Sequence, residues 1–204
     1  MARPWSNFSR IVRAVPLVGL LLLTSCLDLS VNITFRTSTA GQIQVDALAW
    51  RMAQGIQMVD GNDRVPFPAT RTEWQALIDQ VNGPTGTGGL SLVSWEGADE
   101  DLGFRSKTVI GFTNARALEG LFVVFKQKLT LLQDTQGKWT ITFAPQIPRI
   151  TAADPDTRKL WTDLWGQTVW TFGFTPPGQP RAQRTLSLAD LAQAQPPAEW
   201  TLSW

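Results

Sequence analysis

Apolar and polar residues trade places at every second position through much of this chain, and a period of two commits it to β-strands. Residues 27–36 put Val31, Ile33 and Phe35 on one face and Asn32, Thr34 and Arg36 on the other, a half-buried strand. After the small, polar stretch 37–41, alternation resumes over 42–49 with Ile43, Val45 and Ala47, so the two segments pair as a hairpin. In a short strand, Leu90, Leu92 and Ser94 alternate with Ser91, Val93 and Trp95, and residues 103–112 form another. Residues 121–132 and 138–143 read as a hairpin around Asp134-Thr135-Gln136-Gly137, with Trp139, Ile141 and Phe143 on one face. Residues 167–174 align Trp170, Phe172 and Phe174, and 198–204 align Trp200, Leu202 and Trp204.

Helical spacing interrupts this pattern in few places. Thr70 followed by Glu73 is a capping box, and Trp74, Leu77, Ile78 and Val81 recur on one helical face before Asn82-Gly83-Pro84 ends it. Residues 114–120 read as a short helix or turn, 156–164 as a short helix carrying Leu160 and Leu164, and 187–195 as a helix capped by Ser187. Residues 50–58 fit either a strand continuation or a short helix, and Gly55 weakens both. The expected fold is α+β, an antiparallel sheet of about eight strands in consecutive hairpins with two or three packed helices. No period of about 20–50 residues repeats, which excludes a solenoid or propeller.

Ahead of the first strand lies a different kind of segment. Arg3, Arg10 and Arg13, with no acidic residue, precede the apolar run 14–23. That run is a signal-peptide h-region and too short for a spanning helix, which needs about 20 residues. Leu23-Thr24-Ser25-Cys26 then matches the bacterial lipobox: an aliphatic residue, two small ones, and a cysteine that takes diacylglycerol and becomes the first residue. A buried helix or an uncleaved anchor is the competing reading, and the arginine-only flank argues against it. The expected organisation is a cleaved signal peptide over 1–25 and one membrane-tethered domain over 26–204. Cys26 is the lipidation site, and the domain lies outside the cytoplasm in a bacterial cell envelope. Cys26 is the only cysteine, so no intramolecular disulfide forms. Two or more acyl chains make a stable anchor where one holds only marginally. Leu27, not aspartate, follows the cysteine; by the rule known from enteric bacteria this disfavours retention at the inner membrane, with Asp28 next door. The first strand starts at once, leaving almost no tether, so the domain sits close to the bilayer.

Composition narrows the chemistry. There is no histidine, which removes the commonest general base, the Ser-His-Asp triad and the commonest metal ligand. Cleavage takes away three of the 18 basic residues and none of the 17 acidic ones, leaving a slightly acidic chain. With no basic cluster longer than Arg158-Lys159, nucleic-acid binding is not expected. Asp60-Gly61-Asn62-Asp63 is a turn whose carboxylates suggest a calcium loop, but Arg71 stands where the closing glutamate would be. The glycine-rich stretch 83–89 lacks the Gly-Lys-Ser/Thr ending of a phosphate loop. Glu96, Asp99, Glu100 and Asp101 crowd one polar stretch, read as a solvated loop. No catalytic, cofactor or metal residue is assigned. Ten tryptophans without a tyrosine indicate a core of large side chains and the option of an apolar groove.

The order of elements resembles the LppM-domain family of envelope lipoproteins, a domain of unknown function. The matching features are the lipobox Cys26 with a strand starting at once, the hairpin ending in Gly41-Gln42-Ile43, and the Trp74-centred helix. The strand over 103–112 running into Asn114, the hairpin over 121–143, and the late strand with Trp170 before Pro177-Gly178 complete it. The resemblance implies a membrane-proximal α+β domain with a suggestion of lipid binding, and it supplies no catalytic residues. Many relatives end in a transmembrane helix after a tryptophan-bearing strand; here the lipid would be the only anchor. The leading expectation is a non-enzymatic lipoprotein that binds a lipid or amphipathic ligand at the membrane surface. A protein-binding accessory subunit of an envelope membrane complex is second. A hydrolase using carboxylates such as Asp99 and Asp101 is third.

Overall fold

Strand β1 (Leu27–Phe35) pairs antiparallel with β2 (Gly41–Trp50) in the register that alternation requires, Val31 opposite Val45 and Ile33 opposite Ile43. In the turn between them, the Arg36 and Thr37 amides donate to the Ala40 carbonyl (2.8 and 3.1 Å) and Thr37 Oγ1 accepts from the Ala40 amide (3.1 Å). Gly41 faces Phe35 across the pair, and a Cβ there would run into the Thr34 carbonyl oxygen and lie 2.9 Å from Phe35 Cα. Only glycine fits. The structure, a computed structural model, describes residues 27–50, 68–83, 88–101, 103–125, 127–145, 169–187 and 199–204.

Four further strands extend this hairpin. They are β3 (Leu90–Glu100), β4 (Gly103–Phe112), β7 (Val169–Thr175) and β8 (Ala182–Ser187), in the sheet order β3-β4-β2-β1-β7-β8. One face of this sheet is polar, with Thr34, Gln44 and Lys107 exposed. On the same face Arg105 ties three strands together, its guanidinium donating to Asp46 (2.8 Å) and Glu100 (2.7 Å). The other face carries Val31, Ile33, Phe35, Ile43, Val45, Ile110 and Phe112, all buried.

Two helices and a second sheet cover that apolar face. Helix α1 (Arg71–Asn82) opens on the expected capping box: Thr70 Oγ1 accepts from the Glu73 amide (3.2 Å), and Glu73 Oε2 accepts from the Thr70 amide (3.0 Å). Its Trp74, Leu77, Ile78 and Val81 are buried, and at its far end the Asn82 side chain bonds both the amide and the carbonyl of Leu90. Helix α2 (Ala115–Val124) is capped by Asn114, whose side chain accepts from the Ala117 amide (2.8 Å). The small sheet has the order β5-β6-β9, from β5 (Lys128–Gln133), β6 (Trp139–Ala144) and β9 (Trp200–Ser203). Aromatic rings join the two sheets: Phe143 lies 4.6 Å from Phe172, Phe174 4.9 Å from Trp200, and Phe35 5.0 Å from Trp204.

The α+β class holds, with corrections. Nine strands in two sheets, not one sheet of about eight, are present among the described residues. Not every pair is an antiparallel hairpin, because β1 and β7 run parallel, Val31 opposite Phe172. Residues 121–124 belong to α2, not to a strand, since Ala117, Leu118, Leu121 and Phe122 bury one helical face and override the β-branched Val123 and Val124. Residues 182–187 are an unexpected strand, which Ser187 ends. Strand β3 runs through Glu100, so the acidic stretch is mostly strand and tight turn. A bulge between Leu92 and Ser94 shifts the alternation, so that Trp95, opposite Thr108, packs with Leu90 and Leu92 instead of opposing them. The lipobox, the turn over 60–63, the helix expected over 156–164 and all but the capping residue of the one expected over 187–195 lie outside the described residues, as does most of 50–58.

Candidate apolar ligand site

Alternation on three neighbouring strands builds a floor. Leu29 and Val31 of β1 lie between Val45 and Ile43 of β2 on one side and Trp170 and Phe172 of β7 on the other, with Leu29 opposite Trp170 and Val31 opposite both Val45 and Phe172. The roof comes from two antiparallel helix ends. Trp74 projects from the first turn of α1, and Leu121 and Phe122 from the last turns of α2. Phe125, just beyond α2, closes one side against Trp74, with ring centroids 5.9 Å apart. Between floor and roof is a cavity of about 140 Å³.

Its position follows from the registers. β1 begins, β7 begins, β2 ends and α2 ends at one end of the large sheet, and the cavity sits there. At the opposite end the floor is sealed by the small sheet, where Phe143 covers Phe172 and Phe174 at 4.6 and 6.1 Å. Val31, Ile43, Val45, Trp74, Leu121, Phe122 and Phe172 are buried and make the inner wall, whereas Leu29, Phe125, Gln127 and Trp170 are half-buried and make the rim. At that same end Val123 is 68% exposed.

Among the described residues no ionisable side chain lines the cavity, and Gln127 is the polar one in its wall. Its amide N–H donates to the Phe122 carbonyl (2.9 Å) and its side-chain nitrogen to the Phe125 carbonyl (3.3 Å), which fixes the loop after α2. Such a lining selects by apolar surface and shape. Glu96, Asp99 and Asp101 are exposed on β3 and its turn, three strands away from β1 in the sheet, and line no part of the cavity. Glu100 is held instead by Arg105, whose proton is bound more tightly than usual because Glu100, then Asp46, accepts its hydrogen bonds. Among the described residues no group of three or more His, Cys, Asp or Glu side chains is placed to hold a metal ion.

Leu23, Thr24, Ser25 and Cys26 lie outside the described residues, and β1 starts at the residue after them. Among the described residues no helix is long and apolar enough to cross a membrane. Sequence reasoning named Trp74, Trp170 and Phe172 as face residues but missed Phe125 and Gln127. Their signal was the helical spacing of 117, 118, 121 and 122, which places the helix end, and with it these two residues, over the strands.

No protein-family model and no curated protein matches the chain. Among solved structures, the folded domain of LppM from Mycobacterium tuberculosis, determined by NMR, is similar over 87% of this chain and 87% of that one, at 14% identity and a TM-score of 0.43. A likeness at that identity and score does not establish the family.

Proposed function

We propose that this chain is a lipid-anchored lipoprotein of the bacterial cell envelope whose domain binds an apolar or amphipathic ligand at the membrane surface, without catalysing a reaction. The observation that carries this reading is the apolar cavity at the end of the sheet where β1 begins, one residue after the lipobox cysteine. A short tether holds that end toward the bilayer, so a ligand with an apolar tail enters from the membrane side with little exposure to water. The exposed Val123 at the same end adds apolar surface where the headgroup region would lie. The carboxylates of the hydrolase alternative stay on the exposed β3 turn, away from any described cavity.

Native mass spectrometry of detergent-extracted protein tests the reading. With added fatty acid it expects a saturable adduct beyond any covalent lipid mass on the wild type or on Cys26→Ala, lost when Leu121→Trp fills the cavity. No saturable binding of fatty acid by either chain would sink it.

A further inference from the structure

The cavity's size and position together restrict what occupies it. At about 140 Å³ it matches the engineered core cavities of about 150 Å³ that stay dry and accept a benzene ring. It therefore takes about six carbons, a segment of one acyl chain. A two-chain membrane lipid would leave its second chain and its headgroup outside. The rim residue Leu29 is three positions from Cys26 in sequence, and three residues of chain span at most about 10 Å. The acyl chains of a lipoprotein cysteine are longer than that reach.

We infer that the resident of the cavity is the protein's own lipid, one of the acyl chains carried on Cys26 entering between β1 and the ends of the two helices. The inference rests on the reading of Cys26 as lipidated. Moving an acyl chain from bilayer to cavity exchanges one apolar surrounding for another, so the transfer itself is close to neutral. Tethering decides the competition. An attached chain confronts the mouth at an effective concentration on the order of millimolar, whereas a free lipid must first leave the membrane and lose its freedom on binding. A cysteine bearing three chains keeps two in the bilayer, enough for a stable anchor. The cavity is then a holder for the anchor, and the domain's orientation at the membrane is set by it.

The test compares the full-length lipidated chain with Cys26→Ala in the same detergent, titrating each with cis-parinaric acid and reading energy transfer from tryptophan. The expected result is an apparent Kd at least about tenfold tighter for Cys26→Ala, which carries no acyl chain at that position. Leu121→Trp added to Cys26→Ala should abolish that gain, which assigns it to the cavity. Equal affinities for the two chains would overturn self-occupancy while leaving an exogenous ligand in place. Binding by neither chain would overturn both readings, and a purified wild-type chain without a covalent lipid mass at Cys26 would overturn self-occupancy outright.

Discussion

Thr70 and Glu73 illustrate how much a single pair of side chains can settle. Their reciprocal bonds satisfy amides at the start of α1, and Glu73 Oε2 also accepts from the Ala69 amide at 2.7 Å. Thr70→Ala removes one of these acceptors and should lower stability by about 1 kcal/mol, read as a shift in the urea midpoint. The Ala69 amide foremost holds the Glu73 carboxyl below its ordinary value of 4.5; burial opposes it, and the bonds from Thr70 add to the lowering. A carboxyl lowered by folding adds stability that is complete above its unfolded pKa and is lost as pH falls through the folded one. Urea midpoints measured from about pH 6 to about pH 3 should therefore decline less steeply in Glu73→Gln than in the wild type. Gly41→Ala works by sterics alone. Its Cβ has no room beside the Thr34 carbonyl and Phe35, and a loss of about 1–3 kcal/mol is expected in the same assay. The capping box was legible in the sequence because its partners are three residues apart. The Gly41 constraint was legible only as a turn residue, since the atoms it would strike belong to the paired strand.

At the level of elements, the strands that read most clearly are those with one fully buried face. β1, β2 and β7 carry unbroken alternation because each has a neighbour on both sides and helices or the small sheet above. β8 did not read as a strand. It is an edge strand in which only Leu186 is buried, so its sequence has little apolar periodicity to betray it. The bulge near Val93 was equally invisible, because the extra residue is defined against β4 and not within β3. Asn82 joins elements in a way that gives a sharp prediction. It bonds the Leu90 amide at 2.9 Å and its carbonyl at 2.8 Å, securing the end of α1 to the start of β3. Asn82→Ala leaves both groups without that partner and should lower stability by about 1–3 kcal/mol. Hydrogen exchange at Leu90 should speed up more than at Ile110 in the centre of the sheet; equal changes at both would show a global effect instead.

On the scale of the molecule, the two sheets are held by aromatic rings gathered over β1 and β7. Phe143 touches the rings of Phe122, Phe172 and Phe174 and is fully buried. Phe143→Ala opens a hole at the joint and should lower stability by about 3–5 kcal/mol in equilibrium unfolding. Leu132→Ala, at a residue 67% exposed on β5, should change it by less than about 0.5 kcal/mol and serves as the control. The cavity is the region where this sealing stops. The small sheet covers the end of the floor away from the start of β1, and among the described residues helix ends and Phe125 span the other.

The sequence by itself determined the period of the strands, the cap and buried face of α1, the hairpin turns and the expectation of a lipid at Cys26. Each of these depends on residues close together in the chain, where backbone geometry alone fixes which side chains share a face. Tertiary structure decided the parallel placement of β7 beside β1, the division into two sheets, the helical fate of residues 121–124 and the presence of a cavity. Those depend on which distant surfaces find each other and how completely they fill the space between them. A gap between packed elements is the difference of two shapes, and no single stretch of chain records it.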